Sequence, residues 1–129
     1  LLSHSNFGSS NTASARKMRD ALTILRQEAP DLEVEGEMHG DTALSEALRM
    51  RIFPHSRLKG SANLLVMPTL DAANIAYELI KAMTDALPVG PILVGGAKPA
   101  HILTPSVTAR GVVNMTAVAA VEAQQMSQG

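Results

Sequence analysis

Short apolar runs rich in β-forming residues alternate with longer stretches of helical periodicity, and this alternation limits the folds open to the chain. Leu1–Ser5 reads as a first strand. Gly8-Ser9-Ser10-Asn11-Thr12 supplies turn and helix-capping chemistry. The helix that follows carries Ala15, Met18, Leu22 and Leu25 at three- and four-residue spacing, one apolar face, and Pro30-Asp31 stops it. Leu32–Gly36 reads as a half-buried strand, and Asp41 or Thr42 is placed to cap a short helix through Arg49. Phe53–Ser61 is a loop. Ala62–Met67 is the clearest buried strand, with Asp71 capping a helix that bears Ile75, Leu79, Ile80 and Met83. Pro91–Val94 is a fourth strand, and Thr108 caps a last helix ahead of a polar tail, Gln124–Gly129. A strand–helix unit repeated four times predicts a mostly parallel sheet between layers of helices, a three-layer α/β/α arrangement. In such sheets ligands gather beyond the carboxyl ends of the strands. That directs attention to Ser3–Thr12, His39–Asp41, Met67–Asn74 and Gly95–Arg110.

Composition removes several function classes. A formal charge of −1 without a basic stripe gives no reason to expect nucleic acid. No apolar run reaches the ~18 residues of a membrane span, so no membrane is expected. With 0 cysteines there are neither disulfides nor thiolate metal sites, which fits a reducing, cytoplasmic setting. The opening Leu1-Leu2-Ser3-His4-Ser5 has no initiator Met and no signal-peptide pattern. It reads as the tail of a buried strand, so the sequence is expected to be a fragment.

Each candidate site admits a functional and a structural reading. Ser3 and Ser5 with Gly8-Ser9-Ser10 offer hydroxyls and N–H groups to a phosphate, or only cap a helix. Glu35, Glu37, His39 and Asp41 alternate as metal ligands would, or form a solvated strand edge and a helix cap. Asp71 and Asn74 form a polar pair at a cleft, or Asp71 only caps. Gly95-Gly96-Ala97-Lys98-Pro99 lets backbone approach a ligand and brings a cation, with His101 just beyond, or is an ordinary glycine turn. No Ser-His-Asp order, paired buried carboxylates or zinc spacing stands out, so no metal site is assigned.

The run Gly90-Pro91-Ile92-Leu93-Val94-Gly95-Gly96-Ala97-Lys98-Pro99 resembles the phosphate acetyl- and butyryltransferases. So do Asn63-Leu64-Leu65-Val66-Met67-Pro68-Thr69-Leu70-Asp71-Ala72-Ala73-Asn74-Ile75, Glu35-Gly36-Glu37 with Asp41, and Leu2-Ser3-His4-Ser5 with Gly8-Ser9. The resemblance implies the two-lobed fold of that family, related to isocitrate and isopropylmalate dehydrogenases. Residues 1–89 would belong to the inserted second lobe and residues 90–129 would return to the first.

The pattern departs from the transferases at two places. They carry a Ser-Arg pair and, seven positions after the Ser, an Asp. Here Thr104-Pro105 and Gly111 stand there. Proline and glycine supply neither the cation for developing negative charge nor the base toward the thiol. The stretch Lys98–Gly111, together with Met38-His39-Gly40-Asp41, is instead similar to the transacetylase-like domain that ends bacterial bifunctional malic enzymes. That resemblance implies an amino-terminal malic enzyme domain in cis, using NADP (sometimes NAD) and Mg²⁺ or Mn²⁺ to decarboxylate malate oxidatively to pyruvate, and no cofactor in the present segment. It also implies acetyl-CoA or a related CoA ester as an allosteric effector, and self-association as a dimer or higher oligomer. Ser3, Ser5, Asp71, Asn74, Lys98, His101, Thr104 and Ser106 are the effector-binding candidates, with no catalytic residue. The competing expectations are an active phosphate acetyltransferase, with Thr104 standing in for the Ser, and a purely structural dimerisation domain.

Overall fold

The computed structural model describes residues 1–127. Among these, five helices follow in order: α1 (Ala13–Glu28), α2 (Gly40–Leu44), α3 (Glu46–Ile52), α4 (Leu70–Met83) and α5 (Ala109–Met126). Two compact units form, Leu1–Leu79 and Ile80–Gly129.

In the first unit α1 buries Ala15, Met18 and Leu22, the face set by their spacing. Thr12 caps it by accepting the Ala15 N–H, as the turn chemistry predicts. Leu2, Met38 and Ala43 form a small core against which Phe7, Leu58, Ala62, Leu65 and Met67 pack. Phe7 also stacks on Phe53, with ring centroids 4.4 Å apart.

The four expected strands are not present as ladders among the described residues. Leu2 and Met38 make an isolated parallel bridge: Ser3 N–H donates to Met38 O (2.9 Å) and Met38 N–H to Leu1 O (3.2 Å). Leu2 N–H donates to Val66 O (2.8 Å), which sets residues 1–3 between the other two segments. The parallel sense therefore holds, while pairing stops after Ser3 because the chain bends into the next loop at His4. The second segment pairs at Met38, past the expected Leu32–Gly36, and within that range only Glu35 O joins in, accepting from the Leu1 amino group (2.8 Å). Glycine is required there: Gly36 has φ +153°, and a Cβ on it would lie 2.7 Å from the Leu1 carbonyl oxygen. Pro91–Val94 has no ladder partner among the described residues, and Val94 is exposed.

Three helix boundaries also differ from expectation. Ser45 breaks the single helix expected through Arg49 into α2 and α3, because its hydroxyl accepts the Leu48 N–H and caps α3. Thr69, not Asp71, caps α4, its Oγ1 accepting the Ala72 N–H (3.2 Å) while Asp71 lies in the first turn. The last helix runs on through Gln124–Met126, where a polar tail was expected. Gln128 and Gly129 of that tail lie outside the described residues. Thr108 caps α5 as expected, through the Gly111 N–H.

One buried cation ties the first unit's loops together. Arg49 is fully buried and donates to four main-chain carbonyls: Thr42 and Ala43 of α2, and Leu58 and Gly60 of the loop after α3. Glu46 reinforces the same loop by accepting the Gly60 N–H (2.9 Å). Replacing Arg49 by Met fills similar volume but removes this donor from Thr42, Leu58 and Gly60 O, while Ala43 O keeps the Ala62 N–H (3.0 Å). Each buried acceptor left unpaired costs about 1–3 kcal/mol. Arg49→Met is therefore expected to lower unfolding free energy by more than about 2 kcal/mol in urea. A loss below half of that would show that the carbonyls find other donors.

Candidate functional site

The loop of residues 4–12 and the segment 36–39 lie at the carboxyl ends of two parallel-paired segments, and polar side chains concentrate there. Glu37 is the centre. Its carboxylate is fully buried, and Oε1 accepts from the Ser5 hydroxyl (2.5 Å), the Gly8 N–H (3.0 Å) and Arg19 Nη1 (3.0 Å). Arg19, on α1, extends the cluster to Ser10 O and Asn11 Oδ1. Ser5 Oγ accepts the Ser10 N–H (3.0 Å) and lies 3.2 Å from Ser9 Oγ, so a single carboxylate organises the whole turn.

The main chain binds the same pieces. Phe7 N–H donates to Glu37 O (2.7 Å), and His39 N–H to Asn6 Oδ1 (2.8 Å). The second bond fixes the Asn6 amide, so its Nδ2 donates to His39 Nδ1 (3.2 Å), and His39 Nε2 then carries the proton given to His4 O (2.9 Å). At the rim, His4 Nε2 stands 3.2 Å from Ser10 Oγ and 3.3 Å from Thr12 Oγ1.

Burial by itself raises the pKa of the Glu37 carboxyl. Hydrogen bonds from Ser5, Gly8 and its own N–H, with the Arg19 charge, outweigh that and hold it below the ordinary value. Glu35 is buried beside it and accepts from Arg26 (2.8 Å) and the Arg57 N–H (2.9 Å). A solvated strand edge is thus corrected: Glu35 and Glu37 turn inward because α1 brings Arg26 and Arg19 over them, whereas His39 and Asp41 stay exposed. Among the described residues no group of three or more His, Asp or Glu side chains is placed to hold a metal ion.

The sequence-predicted candidates fall in both units. In the first, Ser3 Oγ accepts the Ser5 N–H (3.1 Å), and Ser5 is buried against Glu37. Asp71 and Asn74 lie exposed on α4. In the second unit, Lys98 is exposed on a loop that Gly95 opens with φ +86°. His101 closes that loop: its Nδ1 accepts the Leu93 N–H (3.3 Å), and its Nε2 stands 3.0 Å from Glu122 Oε2 of α5. Thr104 Oγ1 and Ser106 Oγ are 3.0 Å apart and exposed. Gly111 sits in the first turn of α5, where a Cβ would lie 2.7 Å from Val107 Cγ2.

Sequence reasoning missed Arg19 and set Glu37 aside. The available signal was the pairing of Arg19 with Arg26, two helical turns apart on one face, with two glutamates flanking a glycine.

A family model described as "Phosphate acetyl/butaryl transferase" matches residues 1–120. The chain is 66% identical over 122 residues to the NAD-dependent malic enzyme of Rhizobium meliloti (strain 1021), covering 95% of this chain and 16% of that protein. It is 56% identical over 125 residues to the NADP-dependent malic enzyme of Escherichia coli (strain K12), covering 96% of this chain and 16% of that protein. It therefore spans about one sixth of the malic enzymes that it matches. The solved structure of a phosphotransacetylase from Streptococcus pyogenes superposes with TM-score 0.83 at 32% identity, over 100% of this chain and 38% of that one.

The depressed Glu37 pKa has a signed consequence. A carboxyl whose folded-state pKa lies below its unfolded value of ~4.3 stabilises the fold above that pH. That contribution is lost as pH falls through the folded value. The stability gap between wild type and Glu37→Gln should be widest near neutrality and shrink below about pH 4. Urea titrations showing a pH-independent gap would contradict the assignment.

Proposed function

The chain belongs to the phosphate acetyl/butaryl transferase family, and on that premise we propose that it is the regulatory and assembly part of a malic enzyme, holding acetyl-CoA or a related CoA ester without transferring its acyl group. The observation that carries this reading is the pair Pro105 and Gly111, where the transferase pattern has Arg and Asp. Pro105 has no charge, and Gly111 is packed so closely against Val107 that an acidic side chain would displace its neighbours. Identity to the two malic enzymes, 66% and 56%, exceeds the 32% shared with the Streptococcus pyogenes phosphotransacetylase.

On this reading an amino-terminal malic enzyme domain in cis, cytoplasmic like this one, converts malate to pyruvate and carries the NADP and the Mg²⁺ or Mn²⁺. The present segment supplies the effector site and contacts between subunits. Lys98 with Gly95 and Gly96 offers a cation and close backbone approach. The hydroxyls of Thr104 and Ser106 remain for hydrogen bonding. In this segment α4 buries none of its residues and leaves Ile75, Leu79, Ile80 and Met83 exposed along one apolar face, open to the rest of the longer protein or to a second copy. No helix among the described residues is long and apolar enough to cross a membrane.

The full-length protein is expected to bind acetyl-CoA in calorimetry yet form no acetyl-CoA from acetyl phosphate and CoA. Loss of one preorganised charge donor costs ~10²–10³ in rate, and loss of a general base ~10²–10⁴. Turnover at a few per second would instead favour an active phosphate acetyltransferase; absent binding would leave a structural dimerisation role. Sedimentation should show a dimer or larger species, and Ile75→Asp with Leu79→Asp should shift it toward smaller ones. A monomer at high micromolar concentration would refute the assembly role.

A further inference from the structure

Four apolar residues in succession, Leu64-Leu65-Val66-Met67, are the pattern of a segment covered on both faces, as strands of parallel sheets are. Successive side chains of extended backbone point to opposite faces. Leu65 and Met67 pack against the core of Leu2, Met38 and Ala43. Leu64 and Val66, on the other face, stay 75% and 41% exposed. Within the first unit this segment is therefore covered on one face and bare on the other.

The bare face is one wall of a groove of about 480 Å³. Val66 and Pro68 stand on that wall, Ala21, Ile24 and Leu25 of α1 form the opposite one, and Leu1 lies between them. The face that α1 has packed is Ala15, Met18 and Leu22, yet Ile24 beyond it is 52% exposed, so the helix carries apolar surface still to be covered. Lys17 ties the two walls together by donating to the Pro68 carbonyl. The lining is mostly apolar, which suits the apolar stripe of a helix; an added strand would need a row of unpaired main-chain groups instead. From Lys17 to Leu25 the helix rises about 12 Å, room for two turns of a second helix alongside.

Layer architecture identifies the occupant. The chain passes from residues 1–3 to residue 38 through α1 on one face of the paired segments. It returns to residues 62–67 through α2 and α3 on the other face, where Ala43 lies in the core with Leu65 and Met67 against it. Crossovers between parallel strands share one right-handed sense, so a helix that arrives at residues 1–3 from the side of residues 62–67 lies on the α1 face. The groove is that place. Residues 70–79 of α4, which follow Pro68, do not pack on α1. This chain spans 16% of the malic enzymes that it matches and 38% of the Streptococcus pyogenes phosphotransacetylase, so most of such a protein lies outside it. We propose that the groove between α1 and residues 66–68 seats an amphipathic helix of the same longer chain, placed ahead of Leu1, which completes the helical layer on that face. The inference is independent of whether the segment holds a CoA ester.

The test replaces Ile24 by the photoreactive p-benzoylphenylalanine in the full-length protein, with circular dichroism confirming the fold. Irradiating an equal mixture of isotopically light and heavy protein lets mass spectrometry separate crosslinks within one chain from those between two. Crosslinks within one chain, to a peptide ahead of Leu1, are expected. The thiol of Ile24→Cys should also react with a maleimide about tenfold or more slowly than that of Thr23→Cys, its exposed neighbour on α1, because labelling in a covered groove needs local opening. Where position 24 does not tolerate the change, Val66 takes the same photoreactive group and reads the groove from the opposite wall. Crosslinks between light and heavy chains would put a second copy in the groove, and crosslinks to a peptide that follows Leu79 would put another part of the chain there. Equal labelling of Ile24→Cys and Thr23→Cys would leave the groove open to solvent. Any of these three results would overturn the proposal.

Discussion

The ion pair of half-buried Arg19 with the buried Glu37 is the constraint on which much of the first unit depends. A carboxylate without water is costly unless it is paired and hydrogen-bonded. Glu37 meets that condition at Oε1, which draws in one side chain from α1 and two groups from the preceding loop, while Oε2 is buried without a hydrogen-bond partner. The result joins three stretches that are distant in sequence. The helix is fixed over the segment 36–39, the loop is fixed over both, and the Leu2–Met38 bridge lies directly below. Glu35 with Arg26 repeats the arrangement two turns along α1 and extends it to the loop at Arg57. Apolar burial in this unit adds Leu2, Met38 and Ala43 with their partly buried neighbours and the α1 face of Ala15, Met18 and Leu22.

What the sequence made legible was local. The face of α1 follows from the spacing of Ala15, Met18 and Leu22, and both Thr12 and Thr108 cap where their hydroxyls allow. Parallel pairing was legible in its sense but not its extent. Alternation of polar and apolar residues shows which side of a strand is wet, but not how many residues find a partner. The Glu35–Asp41 stretch was misread for a related reason. Alternating acids look solvated until a helix carries arginines over them, and that encounter is a tertiary event with no local signature. Capping was harder still near Thr69 and Asp71, where two good capping residues stand close together and helix geometry selects the first.

The candidate ligand groups divide in the same manner. Lys98, Thr104 and Ser106 were visible because glycine loops and hydroxyl clusters are local features, and all three are exposed. His101 was also visible, but the structure engages it with Leu93 and Glu122, so it shapes the Gly95–Pro99 loop. Pro105 and Gly111 matter for what they withhold. A transferase needs charge at the reacting carbonyl and a base at the thiol. An effector site needs only the shape and the hydrogen bonds. The segment keeps the second set of properties without the first, which is the physical content of the proposed separation between holding a CoA ester and acting on it.

The claim that Arg19 and Glu37 act as one coupled unit is open to a direct measurement. A double-mutant cycle with Arg19→Met, Glu37→Gln and the combined variant, read by urea unfolding at pH 7, isolates their interaction. Groups that share one network typically couple by about 0.5–3 kcal/mol. The account predicts a coupling of about 1 kcal/mol or more, vanishing once the carboxylate is protonated. Additive losses, with a coupling near zero at pH 7, would mean that the loop is held by its other hydrogen bonds and that the central role given to this pair is wrong.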